Sequence, residues 1–355
     1  MTQDTNTTNE MGCLVRIRCI TYNQSAYITD AMNGFAMQQT NFPFVAVIID
    51  DASTDGEQAV IKSYIKEHFD HSEKTGYREW ETEDACWIFA RHKENENCHF
   101  VAVFLKRNLF KEPEKKESVI KDWTNTKYVA LCEGDDYWTD PLKLQKQVNI
   151  LEADETLMAV VTNSKVVDKE GHELNAKQDN VVPENKEGRY DLRSFMYKVH
   201  QYPTATVCYR RTHADEVAEM TRHTANPYLG DWTLWIALHV FGDFYYVDQV
   251  TSAYRINPTS LTHTVDRVGR SKANWTICKA VQEILPDEYD DIRKSLNQKA
   301  WMWRDLAFAY RYEHCYLRMI WCLLVAFIKN PKEFMEDIKN RTRKNRRIVF
   351  VNKIS

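Results

Sequence analysis

Glycine and proline are sparse in this 355-residue chain, at 10 and 9 residues, and with 43% hydrophobic and 28% charged residues that excludes a low-complexity or disordered chain. The nine cysteines (13, 19, 86, 98, 132, 208, 278, 315 and 322) contain no CxxC pair. An odd number scattered through apolar stretches predicts reduced, mostly buried thiols in a cytoplasmic compartment, and argues against a disulfide scaffold or a zinc site. Long apolar runs are missing as well. The longest, Met319 to Ile328, has ten residues, about half of the ~20 that a spanning helix needs. The first eleven residues are polar and lack a basic segment followed by an apolar one, so no secretory leader is expected. The sequence also contains no GxxxxGK[ST], no GxGxxG after its first strand, no HExxH and no GxSxG, which removes the glycine-loop phosphate cradles and two hydrolase signatures.

No excess of one charge is visible overall, with 47 Lys plus Arg against 51 Asp plus Glu and a net charge of −4. The balance is uneven along the chain. Residues 339–355 hold seven bases (Lys339, Arg341, Arg343, Lys344, Arg346, Arg347 and Lys353) and no acid, which leaves −11 on the other 338 residues. An acidic body does not supply the basic field that a nucleic-acid surface requires, so no nucleic-acid partner is expected. The basic tail can either rest on an anionic membrane face or stand in solvent beyond a core helix.

The pattern of elements is αβ alternation. Leu14–Ile20, Phe44–Ile49, His99–Leu105, Tyr128–Cys132 and Leu157–Thr162 read as strands, and the helical stretches 25–38, 57–69, 114–123 and 141–153 fall between them. Continuous apolar strands alternating with helices predict a parallel sheet covered on both faces. Residues 71–98 are charged and aperiodic and read as an insertion or mobile loop, and 168–188 as a loop. Thr204–Tyr209 reads as a strand, Asp231–Val240 as a helix, and 244–247 and 251–255 as two strands. Beyond about 265 only helical periodicity remains. The expected organisation is therefore a disordered N-terminus 1–11, an α/β domain 12–265, a helical appendage 266–338 and the basic tail 339–355.

Two acidic pairs follow apolar strands: Asp50-Asp51 after FVAVII, and Asp135-Asp136 after YVALCEG. In an open α/β sheet both would face the crevice beyond the carboxyl ends of the strands. Adjacent carboxylates repel one another's ionised forms, and a hard divalent ion such as Mg²⁺ or Mn²⁺ relieves the conflict and commonly holds substrate phosphates too. A single Asp-Asp is more often a solvated turn, but two pairs at one edge are harder to explain that way.

Taken together, Arg18-Cys19-Ile20-Thr21-Tyr22-Asn23, FVAVIIDDASTDG (44–56), ALCEGDDYWTDPLKLQKQ (130–147) and Gly230-Asp231-Trp232 resemble the family 2 glycosyltransferases in order and spacing across about residues 12–260. Within that family the bacterial enzymes of surface polysaccharide and lipopolysaccharide synthesis are the most similar. The resemblance implies a GT-A fold, a mixed and mostly parallel sheet flanked by helices. It also implies an inverting transfer from a nucleotide-sugar donor and a divalent metal, Mn²⁺ or Mg²⁺. Carried over by position, Thr21 and Tyr22 would flank the nucleotide base, Asp51 would accept from it and Asp50 would support the loop. Asp136 would bind the metal, with Asp135 towards the ribose, sugar or metal, and Asp231 would be the catalytic base. Two positions depart from the pattern. Glu133 stands where the family has an acid two places before the pair, and Tyr254-Arg255-Ile256-Asn257 lacks a following His, for which His263 is a substitute.

Each assignment has a structural counterpart. Asp231 before an apolar helix is also a favoured N-cap. Trp138 and Trp232 could face an acceptor or pack in the core, and Thr204 lies in a region that lines the acceptor site in the family. Arg255 could contact phosphate oxygens or form a buried ion pair. The function expected is a metal-dependent hexosyl- or N-acetylhexosaminyltransferase using a UDP-sugar and a glycan or lipid-linked acceptor, cytoplasmic or at the inner face of the membrane. A catalytically degenerate sugar-nucleotide or glycan-binding protein is the alternative. A nucleotidyltransferase is disfavoured by the missing glycine-rich, arginine-containing N-terminal loop.

Overall fold

A computed structural model describes residues 12–174, 186–197, 202–222, 230–257, 267–298 and 300–335. The chain divides into two compact units. The first comprises residues up to Tyr190 with Tyr202–His213 and Asp243–Asn257, and the second comprises Asp191–Gln201, Ala214–Gly242 and the chain from Pro258 onward.

Among the described residues all strands lie in the first unit: β1 (Val15–Thr21), β2 (Phe44–Asp50), β3 (Phe69–Asp70), β4 (Arg78–Glu81), β5 (Ala85–His92), β6 (Cys98–Leu105), β7 (Tyr128–Leu131), β8 (Tyr137–Trp138), β9 (Leu157–Val167), β10 (Gly188–Tyr190), β11 (Val207–Arg210) and β12 (Asp243–Arg255). They form one mixed sheet in the order β10-β12-β9-β11-β7-β1-β2-β6-β5-β3, with β4 on β5 and β8 on β12. The centre, β7-β1-β2-β6, is parallel, and antiparallel neighbours extend it on both sides. Every residue of β2 is buried, which is why its run is apolar without alternation. Helices α1 (Ile28–Ala36), α2 (Glu57–His68), α3 (Pro113–Val119) and α4 (Lys143–Ala153) cover the sheet. The apolar spacing of α1 places Ile28, Ala31, Met32 and Phe35 in the larger core layer with Ile17, Cys19, Leu144, Val148 and Leu151. A smaller layer on other sheet residues gathers Val45, Val47, Ile49, Val101 and Trp123.

The second unit is helical: α5 (Leu192–Tyr197), α6 (Ala214–Arg222), α7 (Gly230–Phe241), α8 (Arg267–Ile284), α9 (Asp290–Gln298), α10 (Ala300–Tyr312) and α11 (Tyr316–Lys329). Helix α7 packs on α5, α6 and α8, and α10 packs on α8 and α11. All nine cysteines are free thiols, seven of them buried.

Several segments differ from the sequence expectation. Residues 71–98 are not a loop, since β4 and β5 run through them and pair with the sheet. Exposed Glu79 and Glu81 alternate with half-buried Arg78 and Trp80, so this strand has one solvated face and lacks the apolar stretch of β5. Trp80 stacks on Trp87 at 5.4 Å, with the Arg78 guanidinium over the Trp80 ring. The two strands expected at 244–247 and 251–255 are one strand, β12, whose register on β9 shifts around Tyr246–Val250. Thr204–Thr206 is a 3₁₀ turn ahead of β11, and the 114–123 helix breaks into α3 and a 3₁₀ turn at Lys121–Trp123. The expected boundary at 265 and the tail 339–355 lie outside the described residues.

Candidate active site

Because β1, β2 and β7 run parallel, the segments that follow them leave at one edge of the sheet. Thr21 is in register with Asp50, and the chain beyond β7 continues to pair with β1, Cys132 N–H donating to the Arg18 carbonyl and Gly134 N–H to that of Ile20. The loops after β1 and β2 are stitched together by Asp51 N–H to the Thr21 carbonyl (2.9 Å), Asn23 N–H to Ser53 Oγ (2.9 Å) and Thr54 N–H to Asn23 Oδ1 (2.7 Å). Asn23 and Ala52 sit at φ of 55° and 62°. Asn tolerates that region, but Ala52 there costs roughly 1–2 kcal/mol, strain that the surrounding bonds hold in place.

Beneath these loops lies Glu57, a buried residue that sequence reasoning missed. It opens α2 and accepts from the Thr21 hydroxyl, from Gln24 N–H at 2.9 Å and from Ser53 Oγ at 2.8 Å. Burial raises its carboxyl above the ordinary range, against the pull of these hydrogen bonds. Asp50 accepts from the Gln58 side chain at 2.6 Å and from Ser53 N–H. Asp51 is 2% exposed. One of its oxygens meets the Lys116 ammonium and the other Leu109 N–H, both at 2.6 Å. Tyr22, by contrast, is 47% exposed at the loop surface. The hydroxyl of Thr21 is committed to Glu57 and Gln24.

The second acidic pair stands on a turn that glycine permits. A Cβ on Gly134 would lie 2.3 Å from Thr21 Oγ1 and 2.5 Å from Gln24 Oε1, so no larger residue fits between the β1 loop and the turn. Asp136, 4% exposed, accepts from the backbone N–H of Arg255 at 2.8 Å. Asp135 is half-buried and hydrogen-bonds with Asn257 and Gln24. Burial and then the charge of Asp135 push the Asp136 carboxyl well above its ordinary value, and Glu133 adds to the effect. Burial also raises Asp135, while its hydrogen bonds and the nearby Arg255 charge pull it back. Two carboxylates that resist joint ionisation in a buried oxygen-rich turn fit a hard divalent cation, which would take the place of the shared proton.

Arg255 is a clamp on this turn. Its Nε donates to the Asp135 carbonyl (2.9 Å), one terminal nitrogen to the Lys169 carbonyl (2.9 Å) and the other to Asp30 Oδ2 (2.7 Å). Its guanidinium lies over the rings of Tyr27 and Tyr137. The guanidinium is buried, and the Asp30 side chain that it pairs with is half exposed. The Asn257 side chain, at the position where the family has His, is buried against Asp135.

Trp138 is core: it is buried, packs edge-on against Phe35 at 5.1 Å and donates from its indole to the Ala205 carbonyl at 2.9 Å. This corrects its assignment as an acceptor contact, since no ring face remains for a ligand. Trp232 is likewise buried, on α7, and Thr204 is half-buried in its 3₁₀ turn. Asp231 is the second residue of α7, half-buried, and belongs to the second unit. His263 lies outside the described residues. One further acidic group, Asp168, Glu170 and His172, has ligand atoms within 4.8 Å of one another. It closes a turn in which Asp168 already accepts from the backbone of Glu170 and His172.

No protein-family model matches the chain. Its curated relatives include uncharacterised proteins of Mycobacterium bovis and Mycobacterium tuberculosis, each 29% identical over 247 residues, 69% of this chain and 59% of the relative. The chain thus spans less than two thirds of the length of these relatives. Among solved structures, S. aureus TarS 1–349 superposes with a TM-score of 0.54 at 14% identity, covering 95% of this chain and 94% of that one. The same segment in complex with UDP-GlcNAc gives 0.53 at 12% identity, again over 95% and 94%. At such identities the likeness is one of fold. The mixed sheet flanked by helices, followed by C-terminal helices, is the GT-A fold.

Proposed function

We propose that this protein is an inverting glycosyltransferase that moves a sugar from a nucleoside diphosphate donor, a UDP-sugar, to a glycan or lipid-linked acceptor in bacterial surface polysaccharide synthesis. The observation that carries the reading is the turn that holds buried Asp136 beside half-buried Asp135, set at the same sheet edge as the stitched loops after β1 and β2. The crystal structure of a similarly folded protein with UDP-GlcNAc supports the donor class. Tyr22 is the exposed surface against which a base can stack, and Thr21, Asp50 and Asp51 shape and hold the loop beside it. Asp136, with Asp135, would hold Mn²⁺ or Mg²⁺, whose positive charge would stabilise the departing diphosphate. Asp231 takes the proton of the acceptor hydroxyl as that oxygen attacks the anomeric carbon on the face opposite the leaving group. The transferred unit is a hexosyl or N-acetylhexosaminyl group.

A thermal-shift screen of nucleotide sugars with Mn²⁺, followed by product analysis with the best donor, tests the proposal. Transfer that stops with EDTA and in Asp136→Ala is the expected outcome, and transfer unaffected by chelation refutes the metal assignment. The second reading, a degenerate binding protein, rests on the buried Asn257 held against Asp135. Tight UDP binding with neither transfer nor donor hydrolysis across the panel would favour it.

A further inference from the structure

Helix α11 packs the wrong way round for a helix that ends in water. Its side towards α10 carries small or flexible residues, with Cys322 and Ala326 buried and Cys322, Met319 and Leu323 gathered with Leu306, Ala307, Trp303 and Tyr310. Its large side chains face out: Leu317 is 86% exposed, Ile328 74% and Trp321 64%, with Ile320, Leu324 and Phe327 about half exposed. At about 100° per residue these six fall within roughly 120° of arc, one continuous stripe along the helix. Single exposed apolar residues are ordinary, but a contiguous stripe of this kind marks an interaction surface.

Charge selects the occupant. From His314 to Lys332 the sequence holds Arg318, Lys329 and Lys332 and no acid; Glu313 precedes it and Glu333, Glu336 and Asp337 follow it, and the segment 339–355 then adds seven bases and no acid, so residues 313–355 carry ten bases against four acids. An apolar stripe flanked by bases, on a chain whose remainder is acidic, matches a surface that is apolar inside and anionic outside. The helix has 14 residues, about 21 Å at ~1.5 Å per residue, too short for a ~30 Å hydrocarbon core. No helix among the described residues is long and apolar enough to cross a membrane. We propose that α11 lies in the plane of an anionic lipid bilayer, with Leu317, Ile320, Trp321, Leu324, Phe327 and Ile328 inserted among the acyl chains and the basic segments resting on the headgroups. Two weak signals, one apolar and one electrostatic, give together the stable attachment that neither gives alone. The inference extends the membrane contact considered for the tail, and it stands without the glycosyltransferase reading.

The test is sedimentation of the full-length protein with sucrose-loaded vesicles of phosphatidylcholine alone or with 30 mol% phosphatidylglycerol. The expected result is binding to the anionic vesicles that falls at least tenfold in Leu317→Ser/Ile328→Ser. Both side chains are exposed, so unchanged circular dichroism and UDP affinity should show the variant folded. Raising NaCl to ~0.5 M should weaken binding by removing the electrostatic part and leave a residual that the double variant lacks. Wild-type affinity in the double variant, with loss only on deleting 339–355, would overturn the role of α11. A wild-type dimer in lipid-free buffer that the same substitutions convert to monomer would also overturn it, in favour of contact between copies. Vesicle binding without UDP binding would leave this inference standing and count against the proposed donor.

Discussion

Replacing Lys116 by Met isolates what holds the loop after β2. The Lys116 ammonium lies 2.6 Å from Asp51 Oδ2, and the two side chains are 7% and 3% exposed. Methionine fills similar volume but leaves a buried carboxylate with the Leu109 N–H as its remaining partner among the contacts described above. Breaking one side of such a pair costs about 3–5 kcal/mol, because the stranded charge keeps its desolvation penalty. At roughly 2–4 °C per kcal/mol for a domain of this size, the melting temperature should fall by about 6–20 °C. Adding Asp51→Asn removes the stranded charge, so the double variant should be more stable than the sum of the single effects by at least ~1 kcal/mol. Differential scanning calorimetry of the four proteins completes the cycle. A Lys116→Met melting point within about 2 °C of wild type, or strict additivity, would refute the buried-pair account. Titrating UDP at 15 °C, where the variants remain folded, separates anchoring from recognition. If the Asp51 carboxylate also reads the base, Asp51→Asn weakens UDP at least tenfold while Lys116→Met weakens it less than threefold. Equal losses would assign both effects to the loop.

Asp231→Asn should lower kcat by ~10²–10⁴ with donor affinity changed less than threefold, as for loss of a general base; a parallel loss of donor binding would point to a capping role instead. Gly134→Ala should cost ~1–3 kcal/mol by overpacking against Thr21 and Gln24 and weaken Mn²⁺ and UDP together, whereas wild-type melting and affinity would show that the turn can yield. A pH series tests the raised Asp136 carboxyl. A carboxyl raised in the folded state destabilises the fold above its folded pKa, and the effect fades as pH falls towards the ordinary value of ~4. Asp136→Asn should therefore be more stable than metal-free wild type at pH ~8, by a margin that shrinks on acidification. For the wild type, the gain in melting temperature on adding MnCl₂ should grow over the same rise in pH, since the ion replaces a proton. A gain independent of pH would contradict the assignment.

What the sequence disclosed and what it hid follow from the range of the interactions. Continuous burial of β2 and the apolar stripe of α1 leave local patterns, and the acidic pairs are placed by chain direction alone, because parallel strands must end at one edge. Glu57 and Lys116 leave no such pattern. Each opens or lies in a helix, where an acid or a lysine is expected on propensity grounds, and their partners Thr21 and Asp51 are 36 and 65 residues away. The strands within 71–98 were obscured for a different reason: β4 turns one face to solvent, and its charges break the apolar run that strand recognition depends on.

Arg255 shows why a motif identifies a place more securely than a role. Its position at the end of β12 was legible, and a phosphate contact and a buried ion pair were equally open readings for an arginine there. In the folded chain its donors go to two carbonyls and to Asp30, and its own backbone N–H holds Asp136. The residue thus fixes both members of the acidic pair, Asp136 through a main-chain bond that any residue except proline would preserve and Asp135 through a guanidinium that only arginine offers in that fork geometry. Its importance to a donor site would come from keeping two repelling carboxylates at a fixed spacing before any ligand arrives. The same logic applies to Gln24, which bridges Thr21 and Asp135 and so ties the loop after β1 to the turn after β7. The two halves of the proposed donor site are therefore one hydrogen-bonded unit, held by residues that need not touch the ligand.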